Sequence, residues 1–268
     1  MKQKEIAYSI VDVFTDTRFR GNPLAVIHDG RALDGEEMQS ITREFGFSET
    51  SFILPPLNAG STAQVRIFTP GEEVPFAGHP NIGTAYIVAT KQTAASWDGA
   101  DELSFDELGG LVSINLFREN NKVVGAKLKA PQALEIRGEC SSSLVAACLG
   151  HKPDNILETR FKPCVASVGL PFAFVELSDL DALQSIELDI SSFKAAAKAG
   201  PETVDGFCLC AFVVTDEDET SISVRSRVVS PLGHPIEDPA TGSASGALGG
   251  LLRLGRTDDD FTVNITQG

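Results

Sequence analysis

The second half of this chain repeats the first, and that duplication limits the folds open to it. Arg66-Ile67-Phe68-Thr69-Pro70 returns as Arg227-Val228-Val229-Ser230-Pro231, and Pro75-Phe76-Ala77-Gly78-His79 returns as Pro239-Ala240-Thr241-Gly242-Ser243. Residues 71–74 separate the two blocks in the first copy and residues 232–238 in the second, a loop three residues longer. Earlier in each half, and in the same order, Gly21-Asn22-Pro23-Leu24-Ala25-Val26-Ile27 matches Gly169-Leu170-Pro171-Phe172-Ala173-Phe174-Val175. Each copy reads as an apolar strand closed by Thr/Ser-Pro, a loop, and a small-residue helix that opens at Gly. Such a helix start presents unpaired backbone N–H groups and the positive end of its dipole, which suits an anion. Two of them can grip one ligand. The duplication therefore predicts an α+β protein of two similar lobes with a cleft between them; solenoids need shorter periods and more copies.

The chain of 268 residues is 42% hydrophobic, enough for two cores. The second half restarts near Ala130-Pro131, which puts the lobes at residues 1–129 and 130–268. A formal charge of −15 argues against nucleic acid or anionic membrane as a partner, since both need a basic face. An anionic ligand must then be drawn by local N–H groups and a few arginines. No apolar run reaches the length of a membrane span, and Asp12 interrupts the first one, so neither a span nor a signal peptide is expected. Cys140, Cys148, Cys164, Cys208 and Cys210 are odd in number and mostly in apolar surroundings, and read as reduced thiols of a cytoplasmic protein.

Strand patterns fall at residues 6–14, 24–28, 47–54, 63–68, 103–105, 111–117, 122–128, 166–177, 207–215, 221–229 and 261–265. Helical patterns fall at 81–89, 141–149, 180–183, 191–199 and 243–252, and a further helix is capped by Asp34 and ended by Gly46.

Several familiar chemistries have little support. The histidines His28, His79, His151 and His234 are scattered, and Cys208-Leu209-Cys210 has no second pair, so no metal site is expected. Gly78 to Gly83 has phosphate-loop spacing, but Thr84 stands where lysine is needed. Gly242-Ser243-Ala244-Ser245-Gly246 puts Ala244 where a nucleophile elbow carries its serine. What remains is Glu49, His79, Asp238 and Ser243. His79 and Ser243 hold equivalent places after Gly78 and Gly242, which points to a cleft role. Glu49, a lone carboxylate after a helix, reads more simply from spacing as a solvent-facing strand position. Asp238 reads as readily as a loop or helix cap. His234 lies in a Gly-His-Pro within the lengthened loop and is a decoy.

The segments Val11-Asp12-Val13-Phe14, Gly21-Asn22-Pro23-Leu24-Ala25-Val26, Ser48-Glu49-Thr50, Pro75-Phe76-Ala77-Gly78-His79-Pro80 and Glu237-Asp238-Pro239-Ala240-Thr241-Gly242-Ser243 resemble the PhzF-like family of phenazine biosynthesis. That family has the diaminopimelate epimerase fold: two pseudo-symmetric lobes, each a barrel-like mixed sheet around a central helix. The resemblance covers nearly the whole chain. It implies a homodimer and a cofactor-independent isomerase of a small carboxylated metabolite, similar to dihydro-hydroxyanthranilate isomerase. It makes Glu49 the general acid/base that moves a proton from one carbon to another, with His79, Asp238 and Ser243 as polar companions. Such a base belongs in a dry site, where desolvation raises a carboxyl pKa. The helix starts at Gly78 and Gly242, with Pro80 and Thr241, would hold the substrate carboxylate. In the two-cysteine epimerases of this fold a thiol precedes each paired glycine; here those positions are Ala77 and Thr241, which disfavours a two-thiol racemase. Relatives continue past a Gln-Gly like Gln267-Gly268, so the resemblance also implies a final segment that this sequence lacks. Two alternatives stand beside the isomerase: an epimerase with Asp238 as second base, and a catalytically idle metabolite-binding protein.

Overall fold

The structure is a computed structural model; it describes residues 5–130, 132–233, 236–256 and 261–268. His234, and Pro131 at the expected lobe boundary, lie outside the described residues. The chain divides into two compact units, Met1–Pro131 and Gln132–Gly268.

The first unit runs β1 (Tyr8–Val13), β2 (Asn22–Ile27), α1 (Gly35–Phe45), β3 (Thr50–Leu54), β4 (Ala63–Phe68), β5 (Glu73–Val74), α2 (Gly78–Lys91), β6 (Glu102–Glu107), β7 (Gly110–Glu119) and β8 (Lys122–Leu128). The sheet order is β1-β2-β3-β4-β6-β7-β8, with β5 on β4. Only β2–β3 and β4–β6 pair in parallel, and each of these needs a crossover, supplied by α1 and α2. α2 packs on β1, β2 and β3 at one end of the sheet and on β7 and β8 at the other, so the sheet curls around it as a half-barrel. Ala85, Ile87 and Val88 of α2 meet Leu24, Val26, Val65, Phe105 and Ile114 in the core. A helix enclosed on so many sides has little use for a polar stripe, and this one is apolar nearly all round. α1 starts at a capping box in which Asp34 accepts from Glu37 N and Glu37 from Asp34 N, and ends at Gly46 with φ 66°. β7 and β8 turn at Asn120 and Asn121, both left-handed.

The second unit runs β9 (Glu135–Glu139), α3 (Ser142–Cys148), β10 (Ile156–Leu157), β11 (Cys164–Ser167), β12 (Pro171–Leu177), α4 (Leu180–Gln184), α5 (Ile190–Ala199), β13 (Leu209–Glu217), β14 (Ser221–Val229), β15 (Glu237–Asp238), α6 (Gly242–Leu252) and β16 (Thr262–Gln267). Its sheet order is β15-β14-β13-β12-β11-β9, with β16 also on β14 and β10 on β12. α6 packs on β11, β12 and β16.

The duplication holds strand by strand. Ala25 pairs with Thr50 across the parallel β2–β3 step, and its repeat partner Ala173 pairs with Leu209 across β12–β13. Phe68 faces Glu73 as Val229 faces Glu237. Gln64 pairs with Asp106 as Arg225 pairs with Thr266. The expected α+β fold of two similar half-barrel units is therefore present.

Three local expectations are refined by the structure. Residues 166–177 are not one strand but the hairpin β11–β12, because Gly169 takes φ 149° and donates its N–H to Ser167 Oγ at 3.0 Å. The helical pattern at 81–89 covers the later turns of α2, which opens at Gly78 as the repeat blocks imply, so that His79 lies in its first turn. The strand expected from residue 47 starts at Thr50, which leaves Glu49 at the mouth of β3 rather than within it.

Candidate active site

In the first unit Glu49 and His79 come together. The Nε2 of His79 lies 3.7 Å from Glu49 Oε2, with the two side chains 4% and 18% exposed. Ser48 donates its hydroxyl to Asn22 Oδ1 at 3.1 Å, which turns the Asn22 amide nitrogen toward His79 Nδ1 at 3.4 Å. With Nδ1 the acceptor, the proton of a neutral imidazole sits on Nε2, facing Glu49; the tautomer follows from this network. Burial drives the His79 pKa down to about 3 from 6.5, so the ring is uncharged at neutral pH. The result is a chain of donors, Ser48 to Asn22 to His79, whose last N–H points at a carboxylate. The 3.7 Å separation is longer than a hydrogen bond and leaves the pair room to tighten on a ligand. Gly78 and Pro80 flank His79 in the first turn of α2, whose N-cap, Ala77, gives no side-chain acceptor.

The second unit ties Asp238 to Thr241, two residues before Ser243. Thr241 donates its hydroxyl to Asp238 Oδ2. Gln267 ties both: its Oε1 accepts from Thr241 N at 3.0 Å, and its Nε2 donates to Thr241 Oγ1 at 3.0 Å and to Asp238 O at 2.6 Å. Gly242 and the buried Ser243 open α6 behind this clasp. Among the described residues no group of acidic, histidine and cysteine side chains could hold a metal ion.

The register equivalences show which residues the two copies share. Arg66 forks onto Glu73 through Nε and Nη2 at 2.7 Å each, and Arg227 does the same to Glu237 at 2.8 Å. These ion pairs brace the loops that deliver α2 and α6. The groups suited to chemistry differ instead. Asn22 has Leu170 as its counterpart, Glu49 has Cys208, Val74 has Asp238, and His79 has Ser243. Burial pushes the Cys208 thiol far above its ordinary range, with Asp205 and Asp238 adding to the shift. It is a packed neutral thiol rather than a second base.

Sequence reasoning missed Asn22, Ser48 and Gln267 as site residues. Asn22 and Ser48 lie inside the segments that carry the family resemblance, Gln267 lies beyond them, and the asymmetry of Asn22 against Leu170 was the signal available.

Residues 11–268 match the PhzC-PhzF family of phenazine biosynthesis-like proteins. A Mesorhizobium japonicum protein named as an uncharacterized isomerase is 34% identical over 91% of this chain and 80% of its own length. The trans-2,3-dihydro-3-hydroxyanthranilate isomerase of Pseudomonas fluorescens is 33% identical over 97% of this chain and 85% of its own. A crystal structure of a Bacillus anthracis phenazine biosynthesis protein of the PhzF family superposes with a TM-score of 0.80 at 24% identity, covering 96% of this chain and 83% of that one. The fold, the match along the whole repeat and these isomerase relatives make the chain a member of the phenazine biosynthesis-like protein family.

Proposed function

We propose that the protein is a cofactor-independent isomerase of a small carboxylated metabolite, similar to the dihydro-hydroxyanthranilate isomerase among its relatives. The observation that carries this reading is the buried pair in which neutral His79 presents Nε2 to the Glu49 carboxylate. Glu49 removes a proton from carbon, and the released electron pair moves into the conjugated system of the substrate, ending as enolate-like charge at its carboxylate. The protonated Glu49 then returns that proton at another carbon, and no electrons are gained or lost. His79 holds the carboxylate in place and shares the proton without becoming a competing acid. Asp238 and Ser243 take the role of further polar companions. First-turn N–H groups at Gly78 and Gly242, with Pro80 and Thr241 beside them, suit the substrate carboxylate. Five free, buried cysteines accord with a reducing compartment such as the cytoplasm, and the reading includes a homodimer.

The test is turnover of trans-2,3-dihydro-3-hydroxyanthranilate in deuterated water, followed by absorbance and mass spectrometry, for wild type beside Glu49→Gln. The variant should bind and lose turnover by about 10²–10⁴-fold, the usual contribution of a general acid/base. Equal turnover in the two proteins would remove Glu49 from the chemistry.

A further inference from the structure

One buried carboxyl group has no part in the chemistry above. Glu107 closes β6, and both of its carboxyl oxygens are buried without a well-formed hydrogen bond among the described residues. The Asn81 carboxamide is its hydrogen-bonding neighbour. Asn81 is fully buried, donates Nδ2 to Ala77 O at 2.9 Å, and leaves its Oδ1 buried without a partner. The turn after Glu107 is pressed onto the segment that leads into α2: Gly109 donates to Pro75 O at 2.7 Å, and a Cβ on Gly109 would stand 2.7 Å from that same oxygen.

The duplication supplies a second, independent observation. Gln64 pairs with Asp106 as Arg225 pairs with Thr266, so the next residues, Glu107 and Gln267, are counterparts. Gln267 clasps Thr241 at the start of α6. Thr241 is the counterpart of Ala77, the residue to which Asn81 is tied. One half thus pins its central helix with a carboxamide, and the other has a buried carboxyl in the same place.

We propose that Glu107, held as the uncharged acid, is a positioning residue: it fixes Asn81, and through Asn81 the Ala77-Gly78-His79 start of α2, as Gln267 fixes the start of α6. A carboxylic acid and a carboxamide face to face exchange two hydrogen bonds, O–H to Oδ1 and Nδ2–H to the acid carbonyl. The second Nδ2–H stays on Ala77. Every orphaned atom of the pair is then satisfied, whereas an ionised carboxylate there would be a buried charge without a counter-ion. Burial accordingly pushes the Glu107 pKa up to about 8, against the hydrogen bond from Asn81.

This inference rests on the isomerase reading for its kinetic consequence but not for its structural one. The experiment compares wild type, Glu107→Gln and Glu107→Leu by infrared spectroscopy, by the imidazole NMR signals of His79 at neutral pH, and by kcat and KM. The wild type should show the carbonyl band of a buried carboxylic acid, absent in Glu107→Gln. His79 signals should coincide in wild type and Glu107→Gln and move in Glu107→Leu. kcat should fall about tenfold in Glu107→Leu with KM unchanged, as for a misplaced group, and recover in Glu107→Gln. A wild type without the acid band overturns the proposal. So does a Glu107→Gln protein whose His79 signals are displaced, or a folded Glu107→Leu protein indistinguishable from wild type. If Glu107→Leu does not fold, the infrared band and Glu107→Gln still decide. Neither spectroscopic measurement needs a substrate, so a wild type without turnover would count against the isomerase reading alone.

Discussion

His79 Nε2 faces Glu49 Oε2 at 3.7 Å, and the imidazole in that pair is uncharged. A charged ring would form an ion pair and hold Glu49 as a weak, fully ionised base. A neutral ring 3.7 Å away forms no such ion pair, which is the state the proposed proton transfer requires. Burial in the first turn of a helix packed on nearly every side sets this choice.

The neutrality of His79 has a consequence for stability. Its pKa is about 3 in the folded chain and 6.5 when unfolded, so the unfolded state binds more protons between those values. Its contribution is fully present above pH 6.5, declines as pH falls through that window, and levels off near pH 3. The total loss is of the order of a few kcal/mol. Urea midpoints measured from pH 7 downward should fall more steeply for wild type than for His79→Gln. Parallel curves would show that His79 titrates normally.

The thiols give a separate prediction. All five cysteines are free and buried, and burial raises Cys140 and Cys164 to about 11 and Cys148 and Cys210 to about 12. Only the thiolate alkylates readily. Iodoacetamide should leave native turnover intact and modify all five residues only after unfolding. Rapid inactivation tracking one modified cysteine would restore a thiol-based mechanism.

The duplicated ion pairs should differ in strength. Arg66 and Glu73 are 26% and 21% exposed, whereas Glu237, opposite Arg227, is 39% exposed. Both pairs are two-pronged, so the deeper burial of Glu73 than of Glu237 favours the first. A double-mutant cycle of Arg66→Met and Glu73→Gln should give a coupling of about 1–2 kcal/mol. The cycle at Arg227 and Glu237 should give less, and equal or reversed couplings would sink this ranking.

Much of the scaffold was legible in the sequence because it is written twice. Arg66 with Glu73 and Arg227 with Glu237 support the same loop in both copies, and the repeat blocks locate both helix starts. Glu49 was harder to read. A lone carboxylate beside β-branched and hydroxyl residues has the look of a solvent-facing position; the family resemblance singled it out, and the fold sets it beside the distant His79. Glu107 was invisible for the same reason: acidic residues at strand ends are ordinary, and its neighbour Asn81 reaches it only through the curl of the sheet around α2. The β11–β12 hairpin lies in a largely apolar stretch, where Ser167, Gly169 and Pro171 were the turn signals present.

That curl depends on one close approach. A Cβ built on Gly83 would lie 2.6 Å from Leu24 Cδ2, 2.9 Å from Val13 Cγ2 and 3.2 Å from Val11 Cγ2, so α2 sits against β1 and β2 at a distance that admits no side chain. Gly83→Ala gains about 1 kcal/mol of helix propensity. Against this, it forces three core side chains to move, an overpacking cost of about 1–3 kcal/mol. Because the new methyl overlaps two branched side chains, the overpacking outweighs the gain in propensity. Gly83→Ala should therefore lower the urea midpoint modestly, and Gly83→Val, with two further methyl groups in the same gap, should lower it much more. Displacement of α2 would also carry His79 away from Glu49, so turnover in Gly83→Ala should fall further than its stability alone accounts for. A Gly83→Ala protein more stable than wild type would show that the helix can lift from the sheet without cost.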